Sequence, residues 1–276
     1  MRPCMSTIGA CRRPWPEALD AVVAAGFDAV EILMIPGWIH LDARTQQPAA
    51  ARAELDRRGV RAIGVHGGGI DGTDDAALAT SLDYVAKVIA FAGALGCEFV
   101  NVNGMPVADG TPPEARARML ERIIGGLRAL LPPARRHGVR LTVENHHRFQ
   151  IETIDDYRRI FAALPDAGLG ATIDTWHFTA SGISPAAVAR ALPRRIAHVH
   201  VKDIAKPSAA AEHRALAREL ARAGYAGWLS AEVELHDERE EAEAVSRSLG
   251  YLQGLAADAA DASTTTHGPT SIGARP

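Results

Sequence analysis

Glu144, Asp174, His200 and Glu232 are side chains of the kind that ligate divalent cations, and each closes a short apolar stretch. Leu141-Thr142-Val143 precedes Glu144, Ala171-Thr172-Ile173 precedes Asp174, Ala197-His198-Val199 precedes His200 and Trp228-Leu229-Ser230-Ala231 precedes Glu232. Each stretch reads as a strand that stops on a metal-type ligand. If consecutive parallel strands end on one side of a barrel, the four side chains converge there, and no structural need explains three acids and an imidazole at one point. Crowded carboxylates repel one another and raise their own pKa values unless a cation neutralises them, so one divalent metal ion is the economical reading. Mixed oxygen and imidazole ligation suits Mn2+, with Mg2+, Co2+ and Zn2+ left open. Glu234 shares strand parity with Glu232, and Glu232 is preferred because it is nearer the strand body. For a single acid the plain alternative is a helix cap or an ion pair with an arginine; corresponding positions on four strands argue against that alternative.

Further groups belong to the same strand ends. His198 and His200 are two residues apart and share a face; beneath a covering helix two imidazoles would be poorly matched, so both are expected to point into the barrel. Glu31, His66 and Asn103 finish their strands and are expected to line the mouth, His66 and Asn103 as substrate-binding groups. Trp176 is a candidate apolar wall for a substrate, or packs beneath the loop of His177. Lys202, two positions beyond His200, is a candidate electrophile or acid, with an ion pair to Asp203 as the plain alternative. His146, His147 and His236 are ambiguous, and the acidic run from Asp237 reads as a solvated helix start.

The elements that must position these groups alternate along the chain. Residues 5–8, 28–33, 60–66, 98–103, 139–144, 169–174, 197–201 and 228–232 read as strands. Helices are predicted between them, punctuated by glycine and proline: 15–25 before Gly26, 49–58 before Gly59, a helical period from Leu78 to Ala92 before Gly96, and 185–192. Pro112-Pro113 opens a long helix toward Gly138, with Pro132-Pro133 as its candidate break. Thr153 reads as the N-cap of a helix to Leu164, and helices are also expected over 209–223 and 238–255. Eight strand-helix units imply parallel strands with right-handed crossovers, and a single-domain (β/α)8 TIM barrel over residues 1–255 is the simplest closure. An open doubly wound sheet is the runner-up, disfavoured because no Gly-x-Gly-x-x-Gly follows the first strand. From Ala256 the periodicity is lost, and residues 256–276 are read as a disordered tail.

Bulk properties narrow the classes. The 276 residues are 47% hydrophobic and 23% charged, ordinary for a soluble globular protein. A net charge of −3 argues against a nucleic-acid partner, and no apolar run of the length of a membrane span is read, so a small-molecule substrate is the expected partner. Cys4, Cys11 and Cys97 form no CxxC pair, which points to a reducing cytoplasm. A homo-oligomer is compatible with all of this.

In order and strand placement, Glu144, Asp174-Thr175-Trp176-His177, His198-Val199-His200 and Glu232 together resemble the xylose isomerase-like superfamily of sugar isomerases and epimerases, over nearly the whole chain to about Leu255. The resemblance implies that Glu144, Asp174, His200 and Glu232 hold one divalent ion, that His177 contacts a substrate hydroxyl or carbonyl, and that Glu144 and Glu232 double as the catalytic proton-transfer groups. Where the best-defined keto-sugar epimerases carry a second glutamate this chain has Gln150, and where they carry an arginine after the metal histidine it has Lys206. Gln150 is then a donor to a hydroxyl and Lys206 a point charge for an anionic group. On such a site a sugar carbonyl and its adjacent hydroxyl chelate the ion, the intervening carbon loses a proton to one carboxylate, and the other returns it. The expected activity is metal-dependent isomerisation or epimerisation of a small sugar, sugar acid or cyclitol. A dehydratase on the same site is the alternative, since a leaving hydroxyl β to the carbonyl diverts the same intermediate to loss of water. An apurinic-site DNA endonuclease, which would want more metal-binding histidines and a basic groove, and a non-catalytic sugar-binding barrel are the remaining readings.

Overall fold

The computed structural model describes residues 1–38, 40–234 and 238–264. Among them the strands are β1 (Arg2–Ser6), β2 (Ala29–Leu33), β3 (Arg61–Gly69), β4 (Phe99–Asn103), β5 (Arg140–Glu144), β6 (Leu169–Asp174), β7 (Ile196–Val201) and β8 (Trp228–Ala231). The helices are α1 (Trp15–Ala24), α2 (Pro48–Arg58), α3 (Asp75–Leu95), α4 (Pro113–Arg136), α5 (Ile154–Ala163), α6 (Thr175–Ala180), α7 (Pro185–Ala191), α8 (Ala210–Arg222) and α9 (Glu238–Thr264). Every strand pairs in parallel with the next and β8 pairs with β1, so the sheet closes into the expected (β/α)8 barrel.

Alternation along each strand divides the side chains between two cores. Val30, Ile32, Val100, Val102, Leu141, Val143, Ile173 and Val199 point outward and are buried with the helices in the main apolar cluster. The inward positions are layered by polarity. Cys4, Ala29, Ile63, Phe99 and Trp228 form a separate apolar plug near the strand starts, and Gly64 leaves the space that the Phe99 ring fills. Above the plug come Asn101, Thr142, Thr172, His198 and Ser230, all fully buried. Register places Asn101 beside Thr142, Glu144 beside Thr172, Asp174 beside His200 and His200 beside Ser230. The wall of the barrel thus changes from oil to hydrogen bonds toward its C-terminal rim.

Local chemistry accounts for the elements that matter to that rim. Thr153 caps α5 by accepting from Asp156 N while Asp156 accepts in return from Thr153 N, a reciprocal capping box. Tyr157 on α5 is fully buried and its hydroxyl reaches Val143 O and Thr172 O, both at 3.0 Å, tying the helix to β5 and β6.

Four expectations change. The first strand lies earlier, at Arg2–Ser6, because Ser6 accepts from Ile8 N and turns Thr7–Ala10 into a 3-10 helix. Pro132-Pro133 does not break α4: the apolar face Leu127, Leu130, Leu131 and Ala134 is buried on the barrel, and that packing outweighs the roughly 3 kcal/mol a helix proline costs. The segment after β6 begins with a helix of its own, α6, capped by Asp174. Finally, α9 runs past Leu255 to Thr264 with Ala259 buried; alanines, the best helix formers, carry the helix where the apolar period fades. The rest of the expected tail lies outside the described residues. By length and composition α3 could cross a bilayer, but Tyr84, Val85, Val88, Ile89 and Ala92 are buried inside the protein.

Candidate metal centre

Four consecutive strands, β5 to β8, each deliver a side chain from at or next to their C-terminal end to one place. The ligand atoms of Glu144, Asp174, His200 and Glu232 lie within 4.8 Å of one another, and all four side chains are buried. His200 Nδ1 sits 2.7 Å from Glu144 Oε1 and 2.6 Å from Glu232 Oε2. Asp174 divides its oxygens: Oδ1 accepts from His177 N at 2.7 Å and caps α6, while Oδ2 is buried without a hydrogen-bond partner. The helix-cap alternative for a strand-end acid and the ligand reading therefore describe two atoms of one residue. Glu232 is 2% exposed whereas the Glu234 side chain is 50% exposed, so Glu232 is the acid turned into the barrel.

A tier of buried polar groups holds this set. Asn101 Nδ2 donates to Glu144 Oε2 at 2.6 Å, and the amide is oriented by Thr142 and Thr172 hydroxyls donating to its Oδ1 at 3.0 and 2.8 Å. His200 Nε2 faces Glu31 Oε2 at 2.9 Å, and His198 Nε2 faces the same oxygen at 2.9 Å. Glu31 was expected only to line the mouth; its burial is complete and it sits beneath the histidines. Asn101 escaped the sequence reading altogether. A polar residue in the middle of an apolar strand, two before Asn103 and hence on its face, was the signal that marked it.

The electrostatics follow from burial and crowding. Burial above all pushes Asp174 up to about 7, with Lys202 opposing and Glu232 and Glu144 adding to the rise. Burial also works to raise Glu232, but His200 and Lys202 hold it down at about 2. Glu144 and Glu31 resist their own desolvation and stay well below the usual carboxylate range, each chiefly through His200. His200 is correspondingly raised: burial opposes its charge, and Glu144, Glu232 and Glu31 outweigh burial. The donor set fits a divalent ion: three carboxylates and one imidazole converge, and Asp174 Oδ2 is a buried acceptor without a hydrogen-bond donor.

The remaining predicted groups separate. His177, on α6, is buried, stacked on His146 with centroids 4.0 Å apart, and pushed down to about 3 chiefly by burial. Its Nδ1 accepts from His147 N at 3.2 Å, so the proton of the neutral ring is on Nε2. His66 Nε2 lies 3.4 Å from Glu144 Oε2, and buried Asn103 Oδ1 has no hydrogen-bond partner. Trp176 is 39% exposed with its ring edge against His177. Lys202 Nζ lies 3.2 Å from Glu232, 3.3 Å from Glu234 and 3.7 Å from Asp174. The pair with Asp203 is made instead by Lys206, whose side chain is 56% exposed and is not brought into the cluster. Gln150 is also spent elsewhere. Its Oε1 accepts from Gly72 N and Met105 N, and its Nε2 reaches Thr73 Oγ1 and Asp71 Oδ1, so it ties loops together and has no free amide hydrogen for a hydroxyl. His236 lies outside the described residues.

Comparison with known proteins points the same way. The family model described as xylose isomerase-like TIM barrel matches residues 19–255. An inosose dehydratase of Lacticaseibacillus casei is 28% identical over 94 residues, which is 34% of this chain and 32% of that relative's length. Two solved structures share the fold. An L-ribulose 3-epimerase superposes with a TM-score of 0.79 at 17% identity over 98% of this chain and 99% of its own. A D-tagatose 3-epimerase-like protein superposes with 0.76 at 18% identity over 92% and 98%.

Proposed function

The chain belongs to the xylose isomerase-like TIM-barrel family, and from that premise we propose that it is a divalent-metal-dependent isomerase or epimerase of a small sugar, sugar acid or cyclitol. The observation that carries the reading is the convergence of Glu144, Asp174, His200 and Glu232 within 4.8 Å at the barrel mouth. The epimerase names of the two fold relatives agree with it. These four residues would hold the ion, with Mn2+ suited to three oxygens and one imidazole. When bound, such an ion supplies stabilisation of negative charge developing on a carbonyl oxygen and its neighbouring hydroxyl.

The chain's own groups do the rest. Glu144 and Glu232 both reach His200 Nδ1, at 2.7 and 2.6 Å, and of these two carboxylates one can take the proton from the carbon between the two substrate oxygens and the other can return it. Asn101 holds Glu144 at Oε2 and keeps it from rotating away. Neutral His177 offers Nε2–H to a hydroxyl or carbonyl while the backbone of His147 holds its ring. Lys202 is a fixed cation beside Glu232 and opposes the charge that accumulates there. Trp176 provides an apolar face at the rim. Cys4, Cys11 and Cys97 are free thiols, in keeping with a cytoplasmic enzyme.

A second reading, loss of water from a keto-polyol, is favoured by the stretch shared with an inosose dehydratase. Proton removal is the same; a hydroxide β to the carbonyl then leaves, and Lys202 becomes the acid candidate. Metal analysis of the purified protein, followed by incubation with ketoses, inososes and keto acids in deuterated water, tests both. Carbon-bound deuterium without mass loss supports isomerisation, and loss of water supports the lyase. Glu144→Gln and His200→Ala are expected to lower ion occupancy and Glu234→Gln to leave it unchanged. Unchanged occupancy in the first two refutes the reading.

A further inference from the structure

Three alternate strands begin on an arginine: Arg2 on β1, Arg61 on β3 and Arg140 on β5. Each shares strand parity with an inward residue, Cys4, Ile63 and Thr142 respectively, so the three belong to the N-terminal mouth of the barrel, by the apolar plug and at the opposite end from Glu144. Two of them are satisfied there. Glu98 pairs with both Arg2 and Arg61 and accepts from Trp228 Nε1 at 3.1 Å, and the Arg2 guanidinium lies 3.9 Å over the Trp228 ring. Arg140 is not. Its side chain packs over Gly170, where a Cβ would come to 3.0 Å from Nε and Nη2. Nη2 reaches Leu169 O only at 3.5 Å, Nε is buried without a hydrogen-bond partner, and Nη1 has no acceptor either. Burial and the neighbouring Arg195 both push its pKa below the usual arginine value, with Tyr225 opposing. Among the described residues Arg140, Arg194 and Arg195 form no ion pair, whereas Arg135, Arg190 and Arg222, in the last turns of helices that end around this mouth, all do. Beside Arg140 is a cavity of about 370 Å³, lined by Arg2, Arg140, Arg194, Tyr225 and the backbone of Gly224 and Gly227.

We propose that this cavity binds a phosphate group, held by Arg140 and Arg194 with Arg2 as a third cation. A half-buried guanidinium without acceptors is unfavourable, and an oxyanion supplies both the opposite charge and the oxygens that Arg140 lacks. The planar fork of arginine donates to two phosphate oxygens side by side, and a dianion balances two arginines where a carboxylate balances one. The volume falls in the lower part of the ~300–1,000 Å³ typical of small-molecule pockets, room for the phosphate ester of a small molecule. Arg140 and Glu144 are the two ends of β5, so the occupant is an effector or stabilising anion distinct from whatever reacts at the metal centre. The site stands whether or not the reaction proposed above is right.

Calorimetric titration of the full chain with inorganic phosphate and with glycerol 3-phosphate, each with and without EDTA, tests the site. Saturable binding that EDTA leaves unchanged is expected. Tighter binding of the ester points to a phosphorylated metabolite as occupant, and equal or tighter binding of the free ion to inorganic phosphate. Arg140→Gln and Arg194→Gln should each weaken binding roughly 10–100-fold, the loss expected for a hydrogen bond to a charged group. Arg44→Gln, at the opposite rim in the loop after β2, should leave it unchanged. Failure of both probes to saturate overturns the proposal, and so does binding that EDTA abolishes, which would put the anion on a metal ion. Arg140 and Arg194 variants that bind like wild type overturn it as well, as does an equal loss in Arg44→Gln, which would reduce the effect to net charge. Arg194 is exposed, so its variant keeps the test valid if Arg140→Gln does not fold. On unmutated protein, phosphate should protect Arg194 from phenylglyoxal while Arg44 stays reactive, and equal labelling of the two overturns the site.

Discussion

Replacing Glu31 with glutamine isolates what lies beneath the centre. Glu31 is fully buried and faces both His198 Nε2 and His200 Nε2 at 2.9 Å. A carboxamide keeps one acceptor oxygen, which both imidazoles can share as they share Oε2, and puts an NH2 in place of Oε1, so His200 Nε2, 3.1 Å from that oxygen, loses one of its two acceptors and meets a donor. Losing one hydrogen bond to a charged group costs about 1.5–3 kcal/mol, so the ion-free protein should be destabilised by that amount in urea. The second consequence falls on His200, whose Nδ1 is aimed at Glu144 and Glu232 only while its Nε2 is held. Removing the carboxylate behind a ligating histidine weakens metal binding roughly 10–100-fold, which is about 1.4–2.7 kcal/mol. Stabilisation by Mn2+ well above its dissociation constant should shrink by the same amount. Urea unfolding with and without Mn2+, together with calorimetric titration of the ion, reads the two effects separately. Lower ion-free stability with unchanged affinity would make Glu31 a packing residue only, and no change in either quantity would refute the argument.

Three further outcomes concern parts of the barrel that carry no chemistry. Tyr157→Phe removes the hydroxyl shared by Val143 O and Thr172 O; about 1–3 kcal/mol should be lost in urea unfolding with metal stoichiometry unchanged, and a neutral effect would mean those carbonyls are satisfied otherwise. Thr153→Ala breaks the capping box of α5 and should cost about 1 kcal/mol in the same assay. His213, buried against Tyr251, is pushed down to about 4 chiefly by burial, from a usual value of 6.5. Below pH 6.5 the unfolded chain takes up a proton that the folded chain refuses, so this residue makes stability fall as the pH drops toward about 4, by roughly 3 kcal/mol, and adds nothing further below that. His213→Asn should flatten this limb relative to wild type, and parallel pH profiles would refute the assignment.

The order of elements and the strand-end acids were legible in the sequence because their signals are local. Glycine and proline punctuate the helices, and the strands that end on Glu144 and Asp174 begin within a residue of where they were read. Once alternation implies a parallel barrel, a residue at a strand's end is a residue at the rim, so Glu144, Asp174, His200 and Glu232 could be named before any coordinates. What only the tertiary structure decided is which groups touch. Asn101 beneath Glu144 and His146 turned back over Glu144 are contacts that strand order alone does not give, and Glu31 beneath His200 joins β2 and β7, which are not neighbours in the chain or the sheet. Gln150 and Lys206 were expected at the site, but their partners proved to be loop groups and Asp203. Periodicity tells a side chain which way to face; the stagger at which the sheet closes decides what it meets there, and that depends on the packing of the whole barrel.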